Sequence, residues 1–157
     1  MLIYFGIIAG ILFLEMVIKH EVIRREEKGD KKQPKCKGIR IEHLENGGAA
    51  SGIFSEHKTV LKIVTGGILT VLCFCLGKEY RRKSFSAYGL GLTLVLGGGL
   101  SNWIDRLRKG TVTDYVRFSK CPVKALRKLV FNISDFCILI GGILLFLMEN
   151  LSIKKGN

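Results

Sequence analysis

Four stretches of the chain are nearly free of charge: residues 1–18, 59–77, 84–104 and 129–148. They total 78 residues and hold three charged side chains, Glu15, Lys62 and Asp135, whereas the other 79 residues hold 35. A helix on a soluble domain keeps a polar face and shows a charge every turn or two. An apolar run of about 20 residues has the length that crosses a hydrocarbon core. The pattern therefore predicts four membrane-spanning helices, over about 2–18, 59–77, 85–104 and 129–147. Between them lie two long polar connections, 19–58 and 106–128, and one short basic loop, Lys78–Lys83. Within the first connection, Gly38-Ile39-Arg40-Ile41-Glu42 alternates apolar and polar residues and suits a short strand. A small-residue turn, Asn46-Gly47-Gly48-Ala49-Ala50-Ser51-Gly52, then enters the second span.

The 157 residues are accounted for by one four-span membrane domain, residues 1–157, with no room for a second. Average composition hides this, because 48% hydrophobic and 24% charged residues also describe an ordinary soluble protein. Segregation of the charges excludes a soluble globular domain, a disordered basic tail and a nucleic-acid binder, despite a net charge of +12. Met1 to Leu14 is uncharged and no small-residue cleavage site follows it, so the first apolar run reads as a retained span and not as a secretory signal. Four spans place both termini and the Lys78–Lys83 loop on one side, with 6 Lys/Arg, and the two long connections on the other, with 18. The raw count puts the long connections in the cytoplasm, and the density of the short loop argues the reverse. Counting leaves the orientation open. Cysteine usage adds little. Cys73, Cys75 and Cys137 fall in spans, Cys36 and Cys121 in the long connections, and no spacing matches a zinc site.

The chemistry sits in a repeated pattern, Asn-x-x-Asp. Asn102-Trp103-Ile104-Asp105 ends the third span and Asn132-Ile133-Ser134-Asp135 begins the fourth. Consecutive spans are antiparallel, so both aspartates lie near one depth, on the side of the long connections. A carboxylate inside a span is costly and faces a partner or a wet cavity. Two facing carboxyls tend to share one proton, which leaves one as a base and the other as an acid, the arrangement of an aspartic peptidase. The bland reading makes each Asp a helix cap or a partner of Arg106. Trp103 and Tyr115 read as interfacial anchors, Asp114 as a structural acid beyond the span, and His20, His43 and His57 carry no assigned chemistry. Gly97-Gly98-Gly99 lies inside a span and lacks a following Lys, so it suits close helix approach and not phosphate binding.

The run from Gly97 through Asn102-Trp103-Ile104-Asp105-Arg106 to Gly110-Thr111-Val112-Thr113-Asp114-Tyr115 resembles the third-span signature of the lipoprotein signal peptidases, signal peptidase II. Phe131-Asn132-Ile133-Ser134-Asp135 resembles their second signature, and Asn46-Gly47-Gly48-Ala49-Ala50 their Asn-x-Gly-Ala-Ala turn. The resemblance implies an all-α integral membrane fold of four transmembrane helices with a small extracytoplasmic β cradle. It implies an aspartic endopeptidase of the bacterial inner membrane, with its active site at the outer leaflet. Such an enzyme removes the signal peptide from diacylglyceryl-modified prolipoproteins just before the lipidated cysteine. It implies Asp105 and Asp135 as the catalytic pair, with Asn46, Asn102, Arg106 and Asn132 supporting the site. Its partners would be prolipoproteins, membrane lipids and cyclic-peptide inhibitors of the globomycin type; no metal, cofactor or nucleic acid is expected. Two other readings stand beside it: a non-catalytic homologue that binds lipidated peptides, and a small proton-coupled transporter. The chain departs from the family pattern at Glu15, four residues before Lys19, where Asp is usual, and at Ser51, Ser101 and Ser134. The hydroxyls of Ser101 and Ser134 are expected either to donate to the aspartates or to bond back to helix carbonyls.

Overall fold

The computed structural model describes residues 2–29, 38–48, 56–81 and 85–155. Cys36, Ala49, Ala50, Ser51 and part of the charged run after Lys28 lie outside the described residues. Four helices carry the fold: α1 Leu2–Glu27, α2 Lys58–Tyr80, α3 Ala87–Lys109 and α4 Ile133–Lys155. Three strands form a small antiparallel sheet of order β1-β2-β3: β1 Ile39–Asn46, β2 Val112–Phe118 and β3 Val130–Phe131. A 3-10 turn, Leu126–Lys128, precedes β3.

α1, α2 and α4 are long and apolar enough to cross a membrane, with mean hydropathies of 2.1, 2.1 and 1.7. Their large side chains point outward: Phe13 is 64% exposed, Ile63 70% and Phe146 70%. That inverts the arrangement of a soluble core and suits a lipid solvent. α3 is expected to be a span like the others, yet it is less apolar and is not among the helices that qualify on composition. Its place in the bundle explains why. It packs against α1, α2 and α4, and nine of its residues are buried. A helix screened from lipid by three neighbours can carry glycines and polar groups.

The three consecutive glycines of α3 each serve a different neighbour. A Cβ on Gly97 would stand 2.9 Å from Ile11 Cδ1 of α1, and one on Gly99 2.8 Å from Leu69 Cδ2 of α2. A Cβ on Gly98 would collide with the Ser134 carbonyl oxygen of α4. Successive helical residues are about 100° apart, so three adjacent small residues clear three contact lines. Farther along, Gly141 lies against the Gly91 carbonyl. Gly98→Ala should therefore lower bundle stability by about 2 kcal/mol through overpacking, whereas Gly67→Ala, which meets nothing, should be neutral. Thermal unfolding in detergent measures both.

Specific contacts fix the helix directions. Tyr4 meets Ser86 and Lys19 meets Asn102, so α1 runs parallel to α3. Trp103 Nε1 donates to the Lys62 carbonyl at one end of α2, and Glu79 bonds Ser86 at the other, so α2 is antiparallel to α3. Both long connections thus emerge at the same end of the bundle. α1 continues past its apolar stretch to Glu27, supported by Glu21, which accepts from Arg24 at 2.9 Å and Arg25 at 2.8 Å. α3 ends at Gly110, whose φ of 81° is left-handed, and the chain turns directly into β2. β2 pairs with β1 on one side and β3 on the other, with an irregularity between Ile41 and Leu44. Phe118, Phe131 and Phe136 cluster at about 6 Å between ring centroids and seat the sheet on α4.

Candidate active site

At the end of the bundle shared by the long connections, the sheet closes over a cavity of about 750 Å³. One wall is polar: Asn46, Asn102, Arg106, Asp114 and Asp135. The other is apolar, with Leu129, Phe131, Ile138 and Leu139 among its residues. Leu139 is also 60% exposed on the outer face of α4, so the apolar wall borders the lipid-facing side.

Two carboxylates face this space. Asp135 stands in the first turn of α4 and exchanges bonds with Asn132 before it: the Asn132 amide donates to Asp135 Oδ2 at 3.0 Å, and the Asp135 amide donates to Asn132 Oδ1 at 2.9 Å. This is a capping box with Asp in the usual Glu position. Its other oxygen, Oδ1, accepts from Asn102 Nδ2 of α3 at 2.9 Å. Asp114 comes from the middle of β2 and is 3% exposed. Its Oδ1 accepts from Asn132 Nδ2 at 2.7 Å and its Oδ2 from Asn46 Nδ2 at 3.0 Å. Asn132 therefore touches both acids, and its Nδ2 also donates to Asn102 Oδ1 at 3.1 Å. Burial pushes the Asp114 pKa up to about 6; the Asn46 hydrogen bond opposes this and the nearby Asp135 charge adds to it.

Of the residues expected from the sequence, Asn46, Asn102, Arg106, Asn132 and Asp135 gather here. Asp105 does not line the cavity. Its carboxylate turns toward α1, where Oδ2 pairs with Lys19 Nζ at 3.0 Å and accepts weakly from the Thr113 amide at 3.4 Å. The geometry thus sets Asp114, not Asp105, beside Asp135. Arg106 also braces the polar wall: Nη2 donates to the Gly48 carbonyl at 2.8 Å and Nη1 to the Asn102 carbonyl at 3.4 Å. That fastens the turn carrying Asn46 to α3.

A second polar cluster underlies the first. Glu15 is fully buried; it accepts from Tyr115 Oη at 3.2 Å and from the Ser134 amide, and lies 3.6 Å from Lys19. Tyr115 Oη also accepts from the Ile133 amide at 3.1 Å, so this ring, expected as an interfacial anchor, ties the start of α4 to α1. Burial, with the Glu15 carboxylate alongside, raises the Tyr115 pKa and keeps the phenol neutral. Neither serine hydroxyl meets an aspartate. Ser101 Oγ accepts from Lys19 Nζ at 3.4 Å, and Ser134 Oγ is buried without a partner among the described residues. Trp103, the other expected anchor, bonds the backbone of α2 and packs beside Gly66. His43, assigned no chemistry, bridges Glu26 of α1 and Glu45 of β1. Burial alone would raise the Glu45 pKa, but hydrogen bonds from Lys109, Thr111, His43 and Thr113 hold it down at about 2. This pins β1 to the end of α3. Among the described residues no group of His, Cys, Asp and Glu is arranged to hold a metal ion.

Comparison with known proteins agrees with this architecture. The family described as Signal peptidase (SPase) II matches residues 7–151. A lipoprotein signal peptidase of Lactococcus lactis subsp. lactis is 30% identical over 143 residues, covering 90% of this chain and 88% of that protein. Its counterpart in Enterococcus faecalis is 28% identical over 161 residues, covering 99% and 94%. A solved structure described as a bacterial membrane enzyme superposes with a TM-score of 0.76 at 26% identity, covering 93% of this chain and 91% of that one. With the match running through all four helices and the sheet, the chain belongs to the signal peptidase II family and is a multi-pass membrane peptidase.

Proposed function

We propose that the protein is an aspartic endopeptidase that removes the signal peptide from diacylglyceryl-modified prolipoproteins, cutting just before the lipidated cysteine. The observation that carries this is the pair of carboxylates, Asp114 and Asp135, held by three asparagines on one wall of a cavity whose other wall is apolar. The polar wall suits a peptide bond and the apolar wall suits acyl chains arriving from lipid. The site lies at the end of the bundle that bears both long connections, which we assign to the outer face of the bacterial inner membrane. The same cavity would take cyclic-peptide inhibitors of the globomycin type. Relatives named lipoprotein signal peptidase support the substrate class.

The pair works with one proton. Asp135 stands in the first turn of α4, where the helix N-terminus favours a negative charge, accepts from Asn102 Nδ2 and the Asn132 amide, and is assigned as the ionised base. Asp114, buried and with its pKa raised to about 6, is assigned the proton. Asp135 takes a proton from water as its oxygen attacks the carbonyl carbon before the cysteine, and Asp114 donates its proton to the carbonyl oxygen. The tetrahedral intermediate collapses when Asp135 passes its proton to the cysteine nitrogen and Asp114 recovers the other. The C–N bond breaks, leaving a carboxyl on the signal peptide and an amine on the lipidated cysteine. Incubation of the purified protein with a diacylglyceryl-modified prolipoprotein should release the signal peptide, read as a mass loss. No mass change with a well-folded preparation would favour a peptide-binding homologue or a transporter.

The pH dependence has a definite sign. Asp114 must be protonated, so kcat/KM of the free enzyme falls as pH rises through about 6. The Asn46 hydrogen bond favours the charged form of Asp114, so Asn46→Ala should move this basic limb to higher pH. An unmoved limb would show that Asp114 does not set it.

A further inference from the structure

From Tyr115 to Ser134 the chain carries five Lys/Arg and no Asp or Glu. Arg117 is paired with Glu42, and Arg127 bonds the Cys121 carbonyl. Lys120, Lys124 and Lys128 have no acidic partner among the described residues. Residues 122–128 are exposed without interruption, including two apolar side chains, Val123 at 51% and Leu126 at 38%. This segment runs into β3 and then into α4, so it sits at the depth where a span leaves the hydrocarbon. Its last residue, Lys128, lines the cavity.

We propose that residues 120–128 form a docking surface for anionic phospholipid of the leaflet into which the cavity opens. Val123 and Leu126 enter the boundary between headgroups and acyl chains, and Lys120, Lys124 and Lys128 bind lipid phosphates. The combination selects this partner. Apolar side chains set among cations with no intervening acid match an anionic membrane surface, and a lysine stem lies along apolar surface while its ammonium reaches the phosphates. Lys128 then holds one headgroup beside the entrance used by an acyl-bearing substrate.

The test reads lipid association and not cleavage, so it stands or falls apart from the peptidase assignment. The full chain is reconstituted with spin-labelled phosphatidylglycerol or phosphatidylcholine, and the motionally restricted fraction gives the relative association constant. A lysine near the surface contributes up to about fivefold for an anionic lipid. The Lys120→Gln/Lys124→Gln/Lys128→Gln variant should lower the phosphatidylglycerol preference about threefold or more, with unchanged thermal stability. At 1 M salt, where the screening length is about 3 Å, wild type and variant should converge. Val123→Asn/Leu126→Asn should weaken association with both lipids. A triple variant with the wild-type preference overturns the proposal. So does one whose lipid preference is intact while KM rises only for substrates acidic after the cysteine, which would make the surface a peptide site.

Discussion

Asp114→Asn and Asp135→Asn should each lower kcat/KM for prolipoprotein cleavage by about 10³-fold or more, while Asp105→Asn should cost about tenfold or less. The contrast follows from where the three carboxylates point. Asp114 and Asp135 share Asn132 and face the cavity, and the proposed mechanism gives them separate parts as acid and base. An amide at either position keeps much of the hydrogen bonding but neither takes nor gives the proton. Asp105 is 20% exposed on its side chain and pairs with Lys19, which keeps Glu15, Ser101 and Asn102 as neighbours when that carboxylate is neutralised. Steady-state cleavage of a lipidated precursor by each variant, with thermal unfolding as the folding control, decides it. A folded Asp114→Asn enzyme with near-normal turnover, beside an inactive Asp105→Asn enzyme, would return the catalytic role to Asp105.

The membrane helices were legible because lipid enforces a simple rule: charge is excluded from a helix that faces hydrocarbon. The rule failed at its edges for physical reasons. α1 reads as ending near Ile18 because the charges begin there, but Lys19–Glu27 contains good helix formers tied by Glu21, and the helix continues into water. That extension supplies Lys19 and Glu26. α3 is poor in charge yet only moderately apolar, because it is shielded by protein. As candidate site residues, Asn46, Asn102, Arg106, Asn132 and Asp135, which gather at the cavity, were legible from the signatures. The partner of Asp135 was not, because a three-residue spacing describes one helix and says nothing of which neighbour each residue meets. Asn102 turns to α4 and Asp105 to α1. Asp114 reaches the site only after the chain reverses at Gly110 and returns as β2, a non-local event. A local sign of it existed: Asp114 shares a strand face with Val112 and Val116, an acid where an apolar residue belongs.

Removal of the Lys19 ammonium by Lys19→Met should destabilise the protein by about 3–5 kcal/mol, the cost of leaving a buried charge without its partner. Glu15 has no exposed surface, and its remaining donors, Tyr115 Oη and the Ser134 amide, are neutral. Asp105 keeps some contact with solvent and suffers less. Neutralising Glu15 as well should therefore recover most of the loss, so Lys19→Met/Glu15→Gln should unfold at a higher temperature than Lys19→Met alone. The recovery isolates the cause, because the extra substitution adds no packing and one of the glutamine's polar groups still accepts a hydrogen bond. A double variant as unstable as the single one would mean that Lys19 acts chiefly through Asp105 and the end of α3. The expected result instead places Glu15 and Lys19 as the joint that locks α1 to the start of α4. Through Tyr115, Ser134 and Asn102, that joint fixes the two strands of chain that deliver Asp114 and Asp135.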